Sequence, residues 1–220
     1  MTVMDKNTLW RIGALSLVLG AFLVAVANLL APQGGVREAV ASAGYYPVAL
    51  VNFVGGLVLM AAWPVVYLYQ RKESGRAGFV GFAMVSLFGM ALTVGFPAIL
   101  LLIYPWLANL AITSHTLNTG PMIFNFFFAI SSGLVSAGGV VFGVATIRAK
   151  VFSRQLGIGF IVLSVASAIL GFLSLPGGGG IHMSWWWATT GTFGVLAYMI
   201  GMAWYGVELL LKLRGQPASE

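Results

Sequence analysis

Six apolar stretches, near residues 9–31, 46–69, 78–104, 120–147, 155–175 and 185–211, occupy most of the chain. About 20 apolar residues in a helix cross the hydrocarbon core of a bilayer. That core holds no water, so a spanning segment must satisfy its own backbone groups, and a helix does this within one segment. Each stretch is long enough. The sequence therefore predicts an all-α, polytopic integral membrane protein: a single domain over 1–220, built as a bundle of six transmembrane helices.

Basic residues orient the bundle. Lys6 and Arg11 accompany the start of the first stretch, and Lys212 and Arg214 follow the sixth. Arg71, Lys72 and Arg76 fall between the second and third, and Arg148, Lys150 and Arg154 between the fourth and fifth. Of the 11 Lys and Arg residues, only Arg37 lies in the other gaps. Lys and Arg stay on the cytoplasmic side during insertion, which predicts a cell-membrane protein with both termini cytoplasmic. The first stretch is too long for a signal-peptide core and lacks a small-residue cleavage site, so it is expected to be retained.

Sixty per cent hydrophobic and 7% charged residues exclude an ordinary soluble domain. The net charge of +6 is assigned to topology and to anionic lipid headgroups, not to nucleic acid. The chain has no cysteine, which excludes disulfides, thiolate catalysis and cysteine-bound metals. The expected partners are the lipid bilayer, partner subunits or a second copy, and a small neutral ligand.

Prolines and glycines punctuate the spans. Pro47 suits the first turn of helix 2, and Pro97, well inside helix 3, is expected to kink it. Trp63, Pro64, Tyr67 and Tyr69 are read as the inner-interface end of helix 2. Pro176 and Gly177–Gly180 make a flexible outer loop. Small pairs such as Ala21/Ala25, Gly139/Gly143, Ser167/Gly171 and Ala197/Gly201 are expected to pack helices closely, within the bundle or else against a partner subunit. At an offset of 78, Lys72, Arg76, Gly81, Phe82 and Ser86 fall on Lys150, Arg154, Gly159, Phe160 and Ser164, a faint sign of a duplicated hairpin.

Polar side chains within the spans gather toward the outer side. Asn28, Asn52 and Asn125 lie in the outer parts of helices 1, 2 and 4, and Thr189, Thr190 and Thr192 in the outer third of helix 6. His115, His182 and Trp185–Trp187 lie on the outer loops or at their boundary. An asparagine in hydrocarbon is costly unless its amide is bonded, so these residues are expected to face inward. The inner halves read as Gly, Ala, Ser and apolar residues. The pattern suggests an outward-opening pocket in which Asn52, Asn125, Thr189, Thr190 and His182 orient a ligand and Trp186 stacks on it. The same polar groups would equally bridge neighbouring helices.

Catalytic patterns are missing. No paired carboxylates, metal-ligand spacing or Ser/His/Asp set occurs at one depth, so neither an enzyme nor a resident cofactor or metal is expected. Glu208 is the sole acidic residue within a span, and Lys212 four residues later is expected to pair with it. A proton-coupled carrier usually places a carboxylate or histidine deep in the bilayer, and none is so placed here.

In outline, the six helices, the outer polar residues and the small residues Ala21 and Ala25 of helix 1 are similar to the substrate-capturing subunits of energy-coupling-factor vitamin transporters. That likeness implies an outward-facing small-molecule binding or transport subunit. The alternative is an accessory or scaffold subunit of a larger membrane complex. The outer His115 and His182 with Trp185–Trp187 also resemble, in architecture, the haem-handling proteins of cytochrome c assembly. The chain departs from their pattern: Ala188, not aspartate, follows Trp187, and the tryptophans follow His182.

Overall fold

A computed structural model describes residues 6–32, 36–109, 122–173 and 184–214. These form α1 (Lys6–Leu29), a short α2 (Val36–Ala41), α3 (Tyr45–Met90), a π-helical turn (Ala91–Gly95), α4 (Phe96–Asn109), α5 (Met122–Ala149), α6 (Arg154–Leu173) and α7 (Ser184–Arg214). No strand occurs among the described residues. Among the described residues, five helical stretches are long and apolar enough to cross a membrane, the second running Tyr45–Asn109.

That second stretch bends back on itself at Gly75, whose φ of 59° and ψ of −156° interrupt the helix. An L side chain rarely adopts this conformation, whereas glycine has no β-carbon to clash. The expected gap between residues 69 and 78 is therefore one corner residue, with helix up to Ser74 and again from Arg76. The two arms lie side by side: Tyr67 stacks on Phe82 with ring centroids 4.5 Å apart. The next reversal turns on Lys150, which has φ 55°. Under the offset of 78, Gly75 corresponds to Ser153, and each immediately precedes the arginine that opens the following helical arm.

Pro97 has the effect on its helix that its chemistry requires. It lacks an N–H, and the turn just before it widens into the π-helix Ala91–Gly95. The segment between the first two stretches holds the short helix α2.

Among the described residues the long helical legs are α1, the two arms of 45–109, α5, α6 and α7. Each packs on its neighbours in chain order, and α7 closes against α1, so the legs form a ring. Glycine sets the spacing at the seams. A β-carbon on Gly20 would lie 2.5 Å from the Leu59 amide nitrogen, and one on Gly81 2.5 Å from that of Phe142. A β-carbon on Gly143 would lie 2.6 Å from the Ile161 side chain, one on Gly201 2.6 Å from the Phe160 ring and one on Gly206 2.7 Å from the Val18 side chain. The glycines of the pairs Gly139/Gly143 and Ala197/Gly201 thus pack within one bundle, as expected.

The outward faces are apolar: Leu102 is 75% exposed, Phe172 73% and Phe22 62%. The interior holds the buried polar groups Gln70, Thr93, Thr146 and several serines. Apolar outside with polar groups inside suits a lipid solvent, where close backbone packing replaces the hydrophobic effect in joining helices.

Candidate functional site

Arg71, Lys72, Arg76, Arg148, Lys150, Arg154, Lys212 and Arg214 share one end of the ring, the basic end. Arg11 joins them there by donating from Nη2 to the Leu213 carbonyl at 3.3 Å. The interior next to this end is filled by an aromatic plug. Trp63 packs on Phe142 at 4.9 Å, on Tyr205 at 5.8 Å and on Phe160 at 6.2 Å. Tyr205 also meets Phe160 edge-on at 5.0 Å and Phe152 at 5.5 Å. These five rings come from the first arm, α5, α6, α7 and the turn between α5 and α6, so the plug joins them. Trp63 is fully buried, which corrects its reading as the interfacial end of helix 2. The helix runs on past Pro64, and Trp63 points along the inward stripe with Leu59, Val66 and Gln70.

On the basic side of the plug lies a buried polar chain. Gln70 Nε2 donates to Thr146 Oγ1 at 3.1 Å, and Thr146 Oγ1 shares a 2.8 Å hydrogen bond with the Tyr205 hydroxyl. All three side chains are wholly buried. Gln70 Oε1, Trp63 Nε1 and Ser74 Oγ nearby have no protein partner. The expectation of inner halves built from Gly, Ala, Ser and apolar residues missed this chain. The signal was present in helical spacing: Gln70 follows Trp63 by seven residues and Thr146 follows Phe142 by four, so each shares a face with a plug ring.

Glu208 is engaged differently from the expected pairing with Lys212. Its carboxylate accepts from the Ser153 backbone N–H and, at 2.7 Å, from the Ser153 hydroxyl. Ser153 Oγ in turn accepts from the Leu156 N–H at 3.2 Å, capping α6. The carboxylate therefore ties α7 to the start of α6, next to the helix N-terminus that favours negative charge.

The opposite end holds Asn52 and the helix segments that carry Asn125, Trp186, Thr189 and Thr190. Asn52 is half-buried on the first arm, one turn from Gly56, and Gly56 packs against the π-turn residue Thr93. Asn125 lies in α5, and Trp186, Thr189 and Thr190 lie in the first turns of α7; their side chains, with His182 and His115, lie outside the described residues. Asn28 bonds its own helix, donating to the Val24 carbonyl at 2.8 Å, and Thr93 does the same to Gly89 at 2.8 Å. The two arms are latched at this end by the Tyr45 hydroxyl, which donates to the Leu100 carbonyl at 2.6 Å. Buried Ser131, Ser132 and Ser136 of α5 and Ser164 and Ser167 of α6 lie between plug and opposite end.

Comparison with known proteins finds no matching family model, no matching curated protein and no matching solved structure.

Proposed function

We propose that the chain is a non-enzymatic membrane protein of six spans whose basic end, with both termini, faces the cytoplasm, and that it binds or carries a small neutral polar molecule from the opposite side. The reading rests on one asymmetry. The basic half of the ring is plugged by Trp63, Phe142, Phe160 and Tyr205, whereas the other half carries buried hydroxyls, the π-turn and Asn52. A ligand entering from the non-basic side would meet amide and hydroxyl groups first and the plug last. Asn52, Asn125, Thr189 and Thr190 would orient it, with Trp186 and His182 at the mouth.

The second reading, an accessory subunit of a larger complex, draws on Leu102, Trp106, Phe172 and Leu173, which expose large apolar surface at the non-basic end. One experiment divides the two. The full chain is extracted gently from its membrane and its intact mass recorded by native mass spectrometry. A retained non-lipid molecule of a few hundred daltons, lost in Asn52→Ala and in Asn125→Ala while the melting temperature holds, is the expected result. A stoichiometric protein partner with no small molecule would favour the subunit. Orientation is tested separately, because the chain has no cysteine of its own. In sealed, right-side-out vesicles, Lys150→Cys should resist an impermeant maleimide and Ala41→Cys should react; the reverse pattern refutes the topology.

A further inference from the structure

Between the start of α1 and the foot of the first arm lies a crevice of about 500 Å³, lined by Asn7, Trp10, Leu68, Tyr69, Arg71, Lys72 and Glu73. Gln70 turns inward to Thr146, while its neighbours in sequence line the crevice, where Tyr69 also meets the plug ring Phe152 at 5.6 Å. We propose that this crevice binds the phosphate headgroup of an anionic phospholipid. The proposal rests on the six-span, basic-end-in reading and gives one of the basic clusters a defined ligand.

Charge selects the ligand class. Two cations, Arg71 and Lys72, line the crevice against the single carboxylate of Glu73, and the Asn7 amide adds a further donor. A guanidinium presents a planar fork that matches two phosphate oxygens, and an ammonium adds a point charge. The volume lies within the ~300–1,000 Å³ typical of small-ligand sites.

Position selects a lipid over a soluble phosphate. Trp10 stands edge-on to Tyr69 at 5.7 Å, forming an aromatic wall, and Leu68 on the same lining is 44% exposed. Indole and phenol rings favour headgroup level, with their apolar bodies toward the acyl chains. The crevice therefore sets two exposed cations beside half-buried aromatic rings and an apolar side chain, matching the two ends of a phospholipid. A soluble anion would use only the cations.

The full-length chain in uncharged micelles is offered equal amounts of phosphatidylglycerol and phosphatidylcholine with the same acyl chains, and the retained lipid is read by native mass spectrometry. One phosphatidylglycerol should be retained at least tenfold over phosphatidylcholine. Arg71→Gln and Lys72→Gln should each lower retention about fivefold, the scale of one cation at an anionic surface. Glu73→Gln should raise it, and Lys150→Gln, outside the crevice, should leave it unchanged. Equal retention of both lipids, or an equal loss in Lys150→Gln, overturns the site. Displacement of the lipid by inorganic phosphate alone overturns the lipid assignment in favour of a soluble anion. Extraction of native membranes with alkaline carbonate separates this proposal from the reading beneath it: release of the chain sinks both, whereas a retained chain without lipid selectivity sinks the site alone.

Discussion

Thr146→Val removes one hydroxyl from the buried chain and keeps the side-chain shape. That hydroxyl serves two partners, Gln70 at 3.1 Å and Tyr205 at 2.8 Å, and none of the three groups reaches solvent. The substitution leaves the Gln70 amide and the Tyr205 hydroxyl without this partner, beside a Gln70 Oε1 that already has none. A buried polar group left unpaired costs ~1–3 kcal/mol, whereas a hydrogen bond between membrane helices averages ~0.6 kcal/mol because the unfolded chain finds other partners. Two lost bonds therefore bracket the effect between ~1 and ~6 kcal/mol, and the expected value lies near ~2 kcal/mol, where the two ranges meet. The assay is equilibrium unfolding of the full chain in mixed micelles titrated with a denaturing detergent. Replacing all partners by apolar groups of like shape should restore most of the loss, since no orphaned group remains. The triple variant Gln70→Leu/Thr146→Val/Tyr205→Phe should therefore be more stable than Thr146→Val alone. A loss below ~0.5 kcal/mol for Thr146→Val, or a triple variant no better than the single, would show that the three groups are not energetically linked.

Gly75→Ala should cost ~1–3 kcal/mol in the same assay through backbone conformation alone, since a β-carbon there would meet nothing within 4 Å; an unchanged midpoint refutes the corner. Gly20→Ala should destabilise by ~1–3 kcal/mol because its β-carbon meets the Leu59 backbone, whereas Gly133→Ala, with open space around it, should be neutral or stabilising by up to ~1 kcal/mol. Reversal of that order would contradict the seam geometry. Glu208→Ala should cost ~1–2 kcal/mol by freeing the Ser153 cap, and Lys212→Ala should cost less than ~0.5 kcal/mol; amide exchange at the start of α6 should rise only in the first variant.

The elements were largely legible in the sequence because bilayer thickness imposes a length on every apolar run, and because Lys and Arg gather at the ends of those runs. Helix starts, the disturbance at Pro97 and the packing of Gly139 and Gly143 could be read from local chemistry. The corner at Gly75 was misread as a gap, since one glycine at positive φ reverses a helix as effectively as a longer loop. Tertiary contacts alone decided that the legs close into a ring, that Trp63 turns inward and that Glu208 serves Ser153 and not Lys212. A tryptophan, glutamine or glutamate near a helix end suits an interface or an interior equally well by composition. Which of the two it occupies depends on partners 55 to 76 residues away, as with Glu208 to Ser153 and Gln70 to Thr146, and no local pattern encodes those distances.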